Sequence, residues 1–190
     1  LVAHTLPSAR GQGEPLTGKL SPPPSATFMS MLMGNDEERV LLATDAGYGF
    51  VAKLADLQSK NRTGKALLSV PEKANVLPPC IVRDVANDLL IAISNEGRLL
   101  VFPLSELPEL AKGKGNKIMN IPSSRLEARE EFLQFVAVVS KGQQLMVYAG
   151  KRHTVLKGSD FDEYRGERGR RGNKLPRGFQ SVDRIEVTDR

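Results

Sequence analysis

Residues Leu89 to Pro122 read LLIAISNEGRLLVFPLSELPELAKGKGNKIMNIP, and three other parts of the chain can be laid over them. The stretch opens with an apolar run, LLIAI, breaks at Ser94-Asn95-Glu96-Gly97, and resumes as RLLVFP. It then crosses a connector into a glycine-lysine loop, Lys112 to Lys117, and ends in a second apolar run, IMNIP. Short apolar runs bounded by Gly, Asn and Pro read as strands and turns. The unit is therefore strand, tight turn, strand, connector, basic loop, strand.

Fifty residues upstream the same unit recurs. Gly47 and Gly97, Val51 and Val101, Leu54 and Leu104, Asp56 and Glu106, and Leu57 and Leu107 all coincide at that offset. In this copy FMSMLM, from Phe28 to Met33, precedes a turn at Gly34 to Glu38 and the strand pair VLLATDAGYGFV. Asn61-Arg62-Thr63-Gly64-Lys65 stands where the glycine-lysine loop does. Downstream, FLQFVAVVS starts at Phe132, turns at Lys141-Gly142 and returns as QLMVYAGKRHTVL, with Gly150 lying 53 residues beyond Gly97. The loop of this copy, GERGRRGNKLPR at Gly166 to Arg177, is the most basic, and the alternating FQSVDRIEV closes the chain as a strand. At the front, Leu6-Pro7 and Arg10-Gly11-Gln12-Gly13 repeat the end of the unit without its beginning. With Leu1 in place of methionine, that points to a piece of a longer protein. Pro22, Pro23 and Pro24 make Ser21 to Ser25 a linker, since a proline run joins neither a helix nor a central strand.

A period near 50 built from short strands predicts an all-β, propeller-like array of about four-stranded blades, each burying its faces on its neighbours. The chain holds three full repeats and part of a fourth. It reads as one domain over 1–190: a partial blade and linker at 1–26, then blades at 27–74, 75–122 and 123–190. Little helix is expected beyond turns at Leu104 to Leu110 and Ser159 to Tyr164. Hydrophobic residues make up 40% of 190 positions, enough for a core. Met29, Met31 and Met33 alternate along one strand face, a core pattern. Tyr48, Tyr148 and Tyr164 fall near turns, where they would pack.

The 27 Lys+Arg exceed the 22 Asp+Glu by five, and residues 151–190 alone carry 11 basic against 7 acidic. A local basic excess favours a polyanionic partner. Each repeat places glycine beside Lys or Arg in its loop: Arg10 to Gly13 with Lys19, Arg62 to Lys65, Lys112 to Lys117, and Arg165 to Arg177. Glycine lets backbone amides approach a phosphate, and the flanking cations neutralise it and release counterions. Arg168, Arg170, Arg171, Lys174 and Arg177 form the sharpest cluster, and Lys151-Arg152-His153 occupies the repeat position of Arg98 and would flank it. Taken singly, each loop also reads as a solvated turn.

No Ser/His/Asp order, phosphate-loop motif or metal-ligand cluster stands out. The acidic groups Asp36-Glu37-Glu38 and Glu130-Glu131 fall in expected turns or loops. Cys80 is the sole cysteine, so no internal disulfide forms, and with His4 and His153 it cannot supply four zinc ligands. A reducing compartment is expected. No apolar run approaches the ~20 residues of a membrane span. Three readings stand: a DNA-binding and DNA-bending module, a propeller-like interaction module gripping an acidic protein partner, and an enzyme with its site in a central cavity.

At RGQGEPLTGKL, AGYGF, NRTGKALL, KGKGNKI and GERGRRG the sequence resembles the C-terminal domains of the A subunits of bacterial topoisomerase IV, with those of gyrase more distant relatives. The resemblance covers essentially the whole chain. It implies an incomplete or open β-pinwheel with duplex DNA running over a basic rim. It also implies a non-catalytic fragment without cofactor, cytoplasmic and nucleoid-associated. Such a domain presents DNA to the catalytic core of its own subunit, which works with an ATPase subunit in decatenation, relaxation and chromosome segregation. No tyrosine here sits in a nucleophile motif. The implied DNA contacts are Arg62, Lys65, Lys112, Lys114, Lys117, Lys151, Arg152, Arg168, Arg170 and Arg171, and the reading of the basic cluster adds Lys174 and Arg177. An intact Gln-Arg-Arg-Gly-Gly-Arg-Gly box of the gyrase kind is missing; its closest approach is Gly169 to Gly172, so the resemblance does not extend to strong chiral wrapping.

Overall fold

Three antiparallel hairpins carry the architecture of this computed structural model, which describes residues 6–8 and 10–189. They are β1 (Arg39–Thr44) with β2 (Tyr48–Lys53), β4 (Leu89–Ser94) with β5 (Arg98–Pro103), and β8 (Gln143–Ala149) with β9 (Arg152–Lys157). The first two turn at the expected breaks, where Gly47 N donates to Thr44 O at 3.0 Å and Gly97 N to Ser94 O at 2.9 Å.

The other strands are β3 (Cys80–Val82), β6 (Asn116–Lys117), β7 (Leu133–Val139), β10 (Asn173–Lys174) and β11 (Arg184–Asp189). They complete three sheets in the orders β3-β1-β2-β6, β10-β5-β4-β7 and β11-β8-β9. The 50-residue register therefore marks hairpins, while each sheet takes strands from beyond its own hairpin. The strand after a basic loop pairs with the first strand of the hairpin before it: β3 on β1, β7 on β4, β11 on β8. The two-residue strand within a basic loop pairs with the second strand of the hairpin one repeat earlier: β6 on β2, β10 on β5. The third sheet has three strands rather than four.

The sequence around Leu89 is apolar without interruption because its sheet is buried on both faces. Leu90, Ala92, Leu100 and Phe102 face the first sheet and join a core with Leu41, Val51, Ile118 and Val136. Ile91, Ile93, Leu99 and Val101 point the other way, into a second core with Val139, Leu145, Val147 and Leu175. Alternation along a strand sends neighbouring side chains to opposite faces, so a sheet sandwiched between two others needs apolar residues at every position. Each fully buried Leu, Ile or Phe contributes about 1.5–3 kcal/mol.

Helix is confined to short turns. A single turn of 3-10 helix lies at Leu104–Glu106 and a seven-residue 3-10 stretch at Gly158–Tyr164, with short α-helices at α1 (Leu16–Lys19), α2 (Leu54–Leu57) and α3 (Ser123–Glu127). Three expectations need correction. IMNIP is not a strand: pairing stops at Lys117, and Ile118, Met119 and Ile121 instead plug the first core from an irregular segment. The closing strand begins at Arg184 rather than near Phe179, because Phe179 packs against the second core within the preceding loop. Phe28 to Met33 forms no strand, and Met29, Met31 and Met33 are exposed at 61%, 76% and 66% rather than buried. His4 lies outside the described residues.

Candidate nucleic-acid interface

The four basic loops, with the residues just past them, are linked in sequence order. Arg62 reaches back to the first, donating from Nη2 to Gly18 O at 2.8 Å and from Nε to Lys19 O at 3.1 Å, while Ser21 N donates to Arg62 O. The third meets the stretch that follows the second, where Gly113 N donates to Leu67 O and Ser69 N to Gly113 O, both at 2.8 Å. The third and fourth meet where Arg168 Nη1 donates to Lys117 O at 2.8 Å, Gly169 N to Ile118 O and Asn120 N to Arg170 O. A continuous band of glycine-basic loops results.

Two glycines explain how the third and fourth loops lie so close to the sheets. In Gly115-Asn116-Lys117 and Gly172-Asn173-Lys174 the Asn-Lys pairs are β6 and β10, and the glycine before each has positive φ, 77° and 73°. A Cβ on Gly115 would sit 2.1 Å from Gly49 O, and one on Gly172 would sit 2.4 Å from Leu99 O. Only glycine permits both the left-handed backbone and this approach.

The cations named from sequence divide into three groups. Lys65, Lys112, Lys151, Arg152, Lys174 and Arg177 are exposed, and none has a carboxylate within ion-pairing distance among the described residues. The Arg152 guanidinium lies over Gly178, where an added Cβ would meet Nη1 at 2.6 Å, so the third hairpin turn adjoins the end of the fourth loop. Lys114 and Lys117 sit over the Tyr48 ring, with Nζ 3.8 and 5.7 Å from its centroid. Such cation–π contact holds two ammonium groups on one spot without neutralising them.

The remaining arginines also tie the loops down. Arg62 and Arg168 hold neighbouring loop carbonyls, as above, and Arg170 pairs with Glu167 at 2.8 Å on the surface. Arg171 turns inward to Glu131, whose side chain is 1% exposed and also meets Arg125 at 2.9 Å. Glu96, at the turn of the second hairpin, faces the same two arginines. The hydrogen bond from Arg125, with the charges of Arg125, Arg171 and Lys174, holds the Glu96 carboxyl below the usual range. The fourth loop is thus anchored to a buried carboxylate.

Sequence reasoning placed Glu131 in a loop and Tyr48 in simple packing, and it did not select Arg125. Nothing local marks Glu131 as buried; its burial arises where 125–131 folds beneath the second hairpin turn. Tyr48 does carry a signal, since it stands 50 residues before Arg98 and opens β2 beside the loop strand.

No group of three or more His, Cys, Asp or Glu that could hold a metal ion occurs among the described residues. No described helix is long and apolar enough to cross a membrane.

Known proteins resemble the chain in sequence and in fold. Residues 38–77 and 88–140 match the family described as "DNA gyrase C-terminal domain, beta-propeller". The chain is 58% identical over 187 residues to the A subunit of DNA topoisomerase 4 from Pseudomonas aeruginosa, covering 98% of this chain and 25% of that one. It is 52% identical over 183 residues to the Escherichia coli K12 protein of the same name, covering 96% of this chain and 24% of that one. The chain thus spans about a quarter of these relatives. Among solved structures, the E. coli ParC C-terminal domain superposes with a TM-score of 0.89 at 50% identity, covering 98% of this chain and 75% of that one. A gyrase A C-terminal domain superposes at 0.62 with 17% identity, covering 82% of this chain and 50% of that one, a likeness of fold alone.

Proposed function

The chain belongs to the family formed by the C-terminal domains of topoisomerase IV A subunits, and on that premise we propose that it is a non-catalytic platform that binds and bends duplex DNA. In this reading it presents DNA segments to the catalytic core of its own subunit, which acts with an ATPase subunit in decatenation and relaxation. Its setting is the bacterial cytoplasm, on the nucleoid. The observation that carries the proposal is the chain of hydrogen bonds that links the four basic loops and the residues just past them into one band.

A single glycine-lysine turn is a weak anion site, whereas a row of them fixes the spacing of cations against the regular spacing of backbone phosphates. Lys112, Lys114 and Lys117 from one loop, Lys174 and Arg177 from the next, and Lys151 and Arg152 from the adjoining hairpin turn supply the contacts. Arg168 and Arg171 hold the loops in register, and Arg170 stands on the surface beside Glu167. Phosphate contacts of this kind give affinity without sequence preference.

The test is duplex binding across a salt series. Neutralising six to eight phosphates lowers affinity by about three to four decades between 50 and 200 mM salt. Replacing Lys112 and Lys114 by alanine should weaken binding to unrelated duplexes equally. A flat salt response, or retention of acidic proteins in place of DNA, refutes the reading.

A further inference from the structure

Where a basic loop joins a hairpin, the residue that opens the hairpin's second strand stands directly opposite the lysine of the loop's two-residue strand. At the first join the pair is Tyr48 and Lys117, and the Tyr48 ring lies under the ammonium groups of Lys114 and Lys117. At the second join the pair is Arg98 and Lys174. Like charges directly opposite each other across two strands are destabilising. Neither cation has a carboxylate within ion-pairing distance among the described residues, because the nearby Glu96 and Glu131 pair with Arg125 and Arg171.

The hydrogen bonding of Arg98 is also incomplete. Its Nη1 donates to Gly172 O at 3.3 Å, a long bond, and its Nε is buried with no partner. The Nε of Arg171, the residue before Gly172, is likewise buried and unpartnered. A buried charged donor without an acceptor is costly, so this arrangement does not serve the stability of the free chain. An acceptor that relieves both the facing charges and the unpartnered N–H must be an anion with more than one oxygen. A guanidinium holds phosphate through two parallel N–H donors, and an ammonium beside it acts as a point charge.

We propose that Arg98 and Lys174 form a phosphate seat where the second hairpin meets the fourth loop, with Arg98 gripping the phosphate through two N–H groups and Lys174 neutralising it. The inference rests on the DNA-binding reading for a backbone phosphate as its source; the same chemistry takes a free phosphate ion. The two joins then differ in kind. Tyr48 positions two lysines on a ring, whereas Arg98 is itself a contact.

Duplex affinity across a salt series, with the melting midpoint measured alongside, tests this in the wild type, Arg98→Gln, Arg98→Lys and Lys141→Gln. Arg98→Gln should bind about tenfold more weakly, with a salt slope smaller by about 0.9. Its melting midpoint should hold or rise, because the like-charge pair is gone. Arg98→Lys should keep the slope without restoring the affinity, since an ammonium has no two-point grip. Lys141 is exposed at the end of β8 away from the fourth loop, and its loss should change affinity by less than about twofold. A steep wild-type slope that Arg98→Gln leaves unchanged overturns the seat and spares the DNA-binding reading, whereas a flat wild-type slope overturns that reading. Equal losses in Arg98→Gln and Lys141→Gln also overturn the seat, as does full affinity in Arg98→Lys. So does a lower melting midpoint in Arg98→Gln, which would make Arg98 a structural tie to Gly172. Inorganic phosphate, matched to chloride in ionic strength, separates the two sources. A rise in the wild-type midpoint that Arg98→Gln lacks assigns the seat to the free ion; no rise, with the duplex effects present, assigns it to backbone phosphate. With a flat wild-type slope, no rise overturns the seat as well.

Discussion

Replacing Gly115 by alanine separates the two demands placed on the third basic loop. Its φ of +77° costs a non-glycine residue about 1 kcal/mol. The new Cβ would also lie 2.1 Å from Gly49 O and 2.3 Å from Gly49 C, a clash with backbone that cannot rotate away. Relief requires lifting the loop from β2, which gives up the Tyr48–Lys117 and Gly49–Asn116 pairing and opens the seat of Ile118 and Met119. Partial exposure of two side chains worth about 2–3 kcal/mol each brings the total to roughly 3–5 kcal/mol. Gly64→Ala is the matched control: its φ is +79°, yet no atom lies within 4 Å of the added Cβ. It should cost only the backbone term, about 1 kcal/mol. Urea titration would measure both, and calorimetry should show Gly115→Ala lowering Tm by about 6–20 °C. Costs equal to within about 0.5 kcal/mol would refute the close-approach argument.

Glu131→Gln should destabilise the fold by about 2 kcal/mol, below the usual cost of breaking a buried pair because Arg125 and Arg171 remain about a third exposed and can rehydrate. Duplex affinity should fall as well, although a negative charge has been removed; a rise in affinity at unchanged Tm would show that Glu131 does not anchor the loop. Burial pushes the Cys80 thiol up from 9.0 to about 11, with Sγ 3.4 Å from the Val136 carbonyl oxygen to which it donates. Alkylation at pH 8 should run roughly 100-fold slower in the folded protein than in urea, as the thiolate fraction dictates. Folding favours the protonated thiol, so this group's contribution to stability is full below pH 9 and lost as pH rises toward 11. Equal alkylation rates would remove the basis for both statements.

The hairpins were legible because each is a local event: two apolar runs, a turn with glycine at its end, and a register of 50 residues that brings Gly47 onto Gly97. Sheet membership was not. β7 follows Glu131 in sequence and turns into β8, which reads as a hairpin, yet its hydrogen bonds go back to β4. Alternation in Met29, Met31 and Met33 signals a strand face, but a strand is buried only where a partner exists, and the periodicity of one segment says nothing of its partner. The basic loops were visible as glycine beside Lys or Arg. Their division into exposed cations and inward anchors was not, because Arg171 and Arg170 are neighbours of the same type and differ only in what lies beneath them. The carboxylate that makes the difference, Glu131, is 40 residues away.

Strand exchange between repeats changes what a substitution in the basic band can mean. The third loop adds a strand to β2 on one side and receives Arg168 from the fourth loop on the other, so its lysines are placed by backbone contacts that no single side chain controls. Removing a lysine and moving one are therefore different perturbations. If the band binds phosphates, Lys114→Ala deletes one contact and lowers the salt slope by about 0.9, leaving Lys112 and Lys117 where they were. Gly115→Ala keeps every charge and displaces all three lysines together, so the slope should fall by as much as about 2.7 at unchanged net charge. A charged surface that merely attracts DNA would answer the first substitution and ignore the second. A rim built to a spacing answers the second more strongly.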